Sequence, residues 1–358
     1  RSLVLRRPCS DVWHSRPRLC ELPSTAALGC ANCPAQPRAA VPQKMVLHPS
    51  DETARFSMEG AGVQRGTVID YVVCLVVRLL ICFAQAIRQE TGCALARVVA
   101  WLAADVLHLR RSVVDDNLRH AFPELSDSQR RQLARRMWEH LFLLVLEVAL
   151  APRKIHETNW RQHVRIDGVA DLIRALLSDR PTVIVTAHFG NFEIGGFMLG
   201  LLGFPTYTVA RNLDNPYLDR YLNRFRGATG QHIIPKNGGY DDILRVMGRG
   251  GVMSFLADQA AGPKGCWIEF FGRPASAHKA IALLSIEHDA PTAVCCAQRR
   301  DRPMQFEMRV TGIAEPRAAG AGVESVHRLT QWYTSQMEGM IRRAPEQYWW
   351  LHRRWKDT

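Results

Sequence analysis

The sequence predicts an α/β fold, a mostly parallel sheet flanked by helices, with a membrane-associated helix ahead of it. Three observations carry that expectation. From about residue 180 onward, short β-branched apolar runs alternate with helical patterns, as they do when crossover helices join parallel strands. Between 95 and 150 the apolar residues recur at helical spacing. Residues 68–87 form a continuous apolar stretch of the length that crosses a bilayer. With 358 residues, 47% of them hydrophobic, the chain can bury one large core and carry appendages.

Taken in order, residues 1–60 read as a disordered extension. Seven of the nineteen prolines fall there, apolar periodicity is absent, and the first residue is Arg. No apolar core follows the basic residues, as a secretory signal would need. Translation is expected to start at Met45 or Met58, with the upstream residues a start-assignment error. Residues 61–94 make the membrane-associated helix. The twelve Val, Ile, Leu and Phe of its 68–87 stretch favour insertion by roughly 5 kcal/mol in sum, while Arg78 near the middle opposes it by about 3. A spanning helix and an interfacial one both remain open on that balance.

The main domain is expected over 95–358. Helices are expected over 95–109 and 112–121, the latter stopped by Phe122-Pro123. Ser126 and Gln129 have capping-box spacing and open a helix to about Leu150, whose last part, 141–146, is apolar all round. Strands are expected at 183–187, 206–209, 232–234, 252–257, 267–271, 292–297 and 305–310.

The net charge of +12 suits anionic partners, among them phospholipid surfaces, phosphorylated lipids and acidic carriers. Nucleic acid is not expected, because the arginine pairs at 110–111, 130–131 and 135–136 follow no groove-reading pattern. Of ten cysteines, six lie in apolar runs, where cysteine behaves as a small hydrophobe. Cys30 and Cys33 lack a second pair at zinc spacing, so no metal or other cofactor is expected.

The chemistry centres on Thr182-Val183-Ile184-Val185-Thr186-Ala187-His188-Phe189-Gly190-Asn191-Phe192-Glu193. A buried strand breaks there into a polar turn, and open α/β sheets bind ligands at the carboxyl edge of their strands. An imidazole takes a proton from a hydroxyl near neutral pH if a carboxylate fixes its tautomer. Glu193 is the expected partner of His188, with Gly190 allowing the turn that brings them together. A capped helix beside a buried histidine is the competing account. The absence of a Gly-x-Ser-x-Gly elbow argues against an α/β-hydrolase. Arg211 follows the 206–209 strand, where a guanidinium suits phosphate or a developing oxyanion, or simply pairs with Asp214 or Asp219. Asp258 and Gln259 end the 252–257 strand at the same edge, and the C-terminal Tyr348, Trp349, Trp350 and Trp355 interleave with cations in a pattern that suits a membrane interface.

His188–Glu193 resembles the His-x4-Glu/Asp block of the glycerolipid acyltransferase superfamily, and specifically its lipid A late-acyltransferase branch. The resemblance extends through Asn117–Glu124, Asp258-Gln259, Phe270–Ala275 and Pro345–Arg354. It implies transfer of a fatty acyl chain from a thioester, with acyl carrier protein the expected donor, to a hydroxyl of a phosphorylated lipid A precursor at the cytoplasmic face of the inner membrane. A glycerophospholipid or glycolipid acceptor, and an idle membrane binder, are the alternatives. It implies His188 as base with Glu193 as its partner, and Arg211, Asp258, Gln259, Asn191 and Phe271 as substrate-binding residues. Ser276 stands near where the family usually has Thr, and Phe192 where it commonly has Trp.

Overall fold

The computed structural model describes residues 67–318, 320 and 322–356, so the extension expected over 1–60 lies outside the described residues. Helix α1, Val68–Ala86, begins on a complete capping box: the Thr67 hydroxyl accepts from the Asp70 amide, and the Asp70 carboxylate accepts from the Thr67 amide. Extended Ile87 and Arg88 break it before α2, Gln89–Trp101, which continues through a π-helical turn at Leu102–Val106. Helix α3, Arg111–Ala121, stops before Phe122-Pro123, where the ring of Pro123 disfavours helical backbone at Phe122. Ser126 and Gln129 close the expected box at the start of α4, Asp127–Lys154. This helix outlasts its expected end near residue 150 by about a turn.

Strands and helices then alternate: β1 (Val164–Asp167), α5 (Ala170–Leu177), β2 (Thr182–Thr186), α6 (Phe192–Leu201), β3 (Thr206–Ala210), α7 (Pro216–Gly227), β4 (Gln231–Pro235), α8 (Tyr240–Gly248), β5 (Val252–Leu256), β6 (Cys266–Phe270), β7 (Arg273–Ala277), α9 (Ala280–Glu287), β8 (Thr292–Arg299), β9 (Phe306–Ala314) and α10 (Val326–Arg343). Seven strands form one sheet in the order β1-β9-β8-β2-β5-β3-β4. Its pairings are parallel except that of β8 with β9, which are consecutive and antiparallel. The mostly parallel sheet flanked by helices is therefore as the sequence predicts.

Two strands were not expected. Edge strand β1 has four residues, too few for a periodic signal, and β7 carries Pro274 beside Gly272, which reads as a turn. β6 and β7 leave the main sheet to form their own antiparallel ribbon, where the proline is tolerated because every strand is an edge. Phe271 and Gly272, at φ +54° and +72°, make the two-residue left-handed turn between them.

Strand β2 lies at the centre and is buried on both faces. Val183 and Val185 join the larger core with Leu284 of α9 and Met337 of α10, whereas Ile184 packs with Leu172 of α5 on the opposite face. Each such side chain contributes about 1.5–3 kcal/mol when fully buried, so the strand end that carries His188 grows out of a rigid layer.

Candidate active site

Strand pairing brings the site together. Thr186 is in register with Leu256, and the chain continues two residues past each, to His188 and to Asp258. The two side chains thus leave adjacent parallel strands at one level of the carboxyl edge. His188 Nδ1 lies 2.8 Å from Asp258 Oδ1, and the His188 amide donates to Oδ2 at 3.1 Å. An ionised carboxylate only accepts, so Nδ1 carries the hydrogen and Nε2 is left bare to take a proton. The Asp258 side chain is fully buried, whereas His188 keeps 15% of its side-chain surface open.

Burial by itself would lower the His188 pKa. The charge and hydrogen bond of Asp258, with a smaller contribution from the Glu193 charge, outweigh it and raise the imidazole above its ordinary value. Burial likewise would raise Asp258, but His188, His352 and the His188 amide hold its carboxyl well below the usual range. The pair is poised with Asp258 ionised.

The expected contact between His188 and Glu193 does not form. Glu193 is the second residue of α6, and its carboxylate turns toward α7, where it accepts from Arg226 Nε at 3.0 Å and from Arg226 Nη2. Gly190 serves a different close approach. At φ +60°, its backbone passes so near β8 that a Cβ would stand 2.2 Å from the Ala297 carbonyl oxygen. The turn docks on β8 instead of folding Glu193 back over the imidazole.

Asn191, expected to meet substrate, is fully buried and committed internally. Its Oδ1 caps α6 by accepting from the Ile194 amide, and its Nδ2 donates to Glu147 at 2.9 Å. Arg211 is exposed and paired with Asp214, the ordinary ion pair that the sequence left open. Asp258 does not hold it, because that buried carboxylate is committed to His188. Gln259 is exposed beside Asp258. Phe271 packs against Phe122 and Trp350, and its amide donates to Glu338 at 2.7 Å. Of the expected site residues, the structure bonds His188 to Asp258.

Several participating residues carried a misread signal. The C-terminal aromatics expected at a membrane interface are mostly core: Tyr348, Trp350 and Trp355 are buried. Their segment walls the site. The Trp349 amide donates to the His188 carbonyl at 3.0 Å, and the Trp349 ring meets the imidazole edge to face at 5.3 Å. His352 Nε2 donates to the Asp258 carbonyl at 3.1 Å, and burial holds this imidazole below its ordinary pKa.

Behind the turn lies a buried polar network. Arg299 donates to both Glu147 oxygens, at 2.6 and 2.7 Å, and to His140 Nδ1 at 2.6 Å. His140 Nε2 donates to the Gly190 carbonyl at 3.1 Å. Burial, then the neighbouring Arg299 charge, pushes the His140 pKa well down, which keeps it neutral and able to do both. Gln347 exchanges two hydrogen bonds with the Arg299 backbone, and its carbonyl accepts from the Gly190 amide. A lone acid in the apolar run of α4 was the legible sign, since a buried charge demands a partner.

A family model described as bacterial lipid A biosynthesis acyltransferase matches residues 63–357. The lipid A biosynthesis palmitoleoyltransferase of Escherichia coli (strain K12) is 25% identical over 270 residues, covering 74% of this chain and 84% of that one. The lipid A biosynthesis lauroyltransferase of the same organism is 23% identical over 291 residues, covering 80% and 89%. The crystal structure of the 1-acyl-sn-glycerophosphate acyltransferase PlsC from Thermotoga maritima aligns with a TM-score of 0.36 at 11% identity, covering 72% of this chain and 98% of that one.

Proposed function

The chain belongs to the bacterial lipid A biosynthesis acyltransferase family, and from that premise we propose how its residues carry the acyl transfer. The acceptor is a hydroxyl of a phosphorylated lipid A precursor, and the donor is an acyl thioester of acyl carrier protein. His188 Nε2 takes the hydroxyl proton as the oxygen attacks the thioester carbonyl. The carbon–sulfur bond then breaks, and the imidazolium returns the proton to the departing thiolate. Asp258 fixes the tautomer and stabilises the imidazolium, so no covalent acyl-enzyme is needed.

The remaining groups support this assignment. Glu193 adds negative charge near the imidazolium and anchors Arg226. The first amides of α6, beside Asn191, offer hydrogen bonds and the positive end of the helix dipole to the developing oxyanion. Arg211 and Gln259, exposed at the same sheet edge, suit the acceptor's phosphate, and the Phe271 cluster suits the acyl chain. The enzyme works at a membrane, on the cytoplasmic face of the inner membrane.

The observation that carries the reading is the 2.8 Å bond from His188 Nδ1 to Asp258 at flush strand ends, which leaves Nε2 bare. The test follows free thiol released from acyl carrier protein when acceptor is added, with mass spectrometry of the lipid product. His188→Ala should stay folded and lose about 10²–10⁴ of the rate, the usual share of a general base. Wild-type rates in that folded variant would overturn the mechanism. A product acylated on a glycerophospholipid would overturn the acceptor alone.

A further inference from the structure

Strand β9 and helix α10 enclose a cavity of about 330 Å³ that the acyl-transfer mechanism does not use. Alternation along β9 puts Arg309 and Thr311 on one face of the strand. Helical spacing puts Ser335 and Gln336, Gly339 and Arg343 on the side of α10 that lines the same space. None of His188, Asp258, Trp349 and His352 lines it. Arg309 stands opposite Cys296 of β8, and β8 lies next to β2, so the cavity is two strand spacings, on the order of 10 Å, from the strand that carries His188.

Two guanidiniums meet here, and the fold leaves their donors partly unused. Arg309 Nη2 donates to Glu307 at 3.0 Å, but Nε is buried with no hydrogen-bond partner among the described residues, and Asp167 Oδ2 stands 3.6 Å from it. A buried donor left unpaired is costly. Arg342 pairs with Glu338 one turn back, whereas Arg343 has no ion pair among the described residues. Both charges reach one spot: burial raises the pKa of the Cys296 thiol, and Arg309 and Arg343 pull it down. Ser335 accepts from Gln331 at 3.2 Å and keeps its own hydrogen to give. Among the described residues, no carboxylate lines the cavity.

We propose that this cavity is a binding site for a phosphate monoester on a small polyol, the class to which glycerol 3-phosphate belongs. Phosphate oxygens match the forked donors of Arg309 and Arg343, and the Ser335 hydroxyl and Gln336 amide serve the polyol's hydroxyls. The volume is at the small end for ligand sites, and the polar lining suits a hydrated solute or headgroup better than an acyl chain. Gly339 gives the ligand its room, because a Cβ there would meet nothing within 4 Å. The site stands independently of the acyl-transfer mechanism.

Isothermal titration calorimetry of the purified full chain tests it with two probes, glycerol 3-phosphate and phosphatidic acid in neutral detergent micelles. Arg343→Gln should weaken one saturable binding event about tenfold or more, and Gly339→Leu, whose side chain fills the space, should remove the same event. Leucine is the better helix former, so the circular dichroism spectrum and melting temperature of Gly339→Leu should hold. Arg136→Gln removes the same unit of charge from an exposed position on α4 and should leave binding unchanged. Loss of glycerol 3-phosphate binding in both cavity variants supports the site and assigns it to a soluble solute. The same loss seen with phosphatidic acid alone supports the site and assigns it to a lipid headgroup. No saturable binding of either probe, an affinity unchanged in either cavity variant, or an equal loss in Arg136→Gln overturns the proposal.

Discussion

Asp258 and Glu193 make different claims on the same imidazole, and substitution separates them. Asp258 holds the Nδ1 hydrogen, so Asp258→Asn removes the charge and presents either an amide oxygen or an amide nitrogen to the ring. The turnover rate should fall by about 10²–10⁴, and combining it with His188→Ala should cost little beyond either change alone, because the two act as a unit. Additive losses in that cycle would show that the 2.8 Å contact does not matter to the rate. Glu193 reaches His188 only by charge, through a carboxylate bonded to Arg226. A general base must be neutral, so activity is lost as pH falls through the raised His188 pKa. Asp258→Asn should move that acid limb to lower pH, and Glu193→Gln should move it the same way by less. A pH–rate profile for each variant reads both shifts.

At the scale of elements, the turn between β2 and α6 depends on features far away in sequence. Gly190 sits at φ +60° against the Ala297 carbonyl, where any side chain would collide with backbone. Gly190→Ala should lower stability by about 2 kcal/mol or more and displace His188, seen as a reduced melting temperature with reduced turnover. The Glu147–Arg299 pair anchors the same turn through Asn191 and His140. Glu147→Gln strands a buried guanidinium, at a cost of about 3–5 kcal/mol, whereas a surface ion pair such as Arg174–Asp171 is worth about 0–1. Calorimetry should find Glu147→Gln far less stable and Asp171→Ala much closer to wild type.

Across the whole molecule, stability and catalysis respond to pH through different imidazoles. His120, His140, His232, His278 and His352 all have pKa values lowered, with burial the largest cause in each. A histidine with a depressed folded pKa contributes stability above its unfolded value of about 6.5 and loses it as pH falls, because the unfolded chain binds the proton first. His188 has the opposite sign: its raised pKa stabilises below about 6.5 and that contribution fades as pH rises through the folded value. Among the described residues five such groups oppose one, so the urea midpoint should fall on acidification from about pH 7 to about pH 5. A midpoint that rises over that interval would contradict the neutral state assigned to the buried histidines.

The sequence by itself determined the α/β class, the capping box at Ser126, most strands of the sheet, the apolar helix and the strand end that carries His188. Each is written in local periodicity, capping chemistry or a short motif, and these act over a few residues. Tertiary structure alone decided that Asp258 meets His188, that Glu193 turns to Arg226, that Asn191 is a buried cap and that Trp349 walls the site while Trp350 and Trp355 pack in the core. Those outcomes follow from strand register and from which buried charge finds which partner. His188 and Asp258 are seventy residues apart in sequence and meet only because β2 and β5 are paired in the sheet.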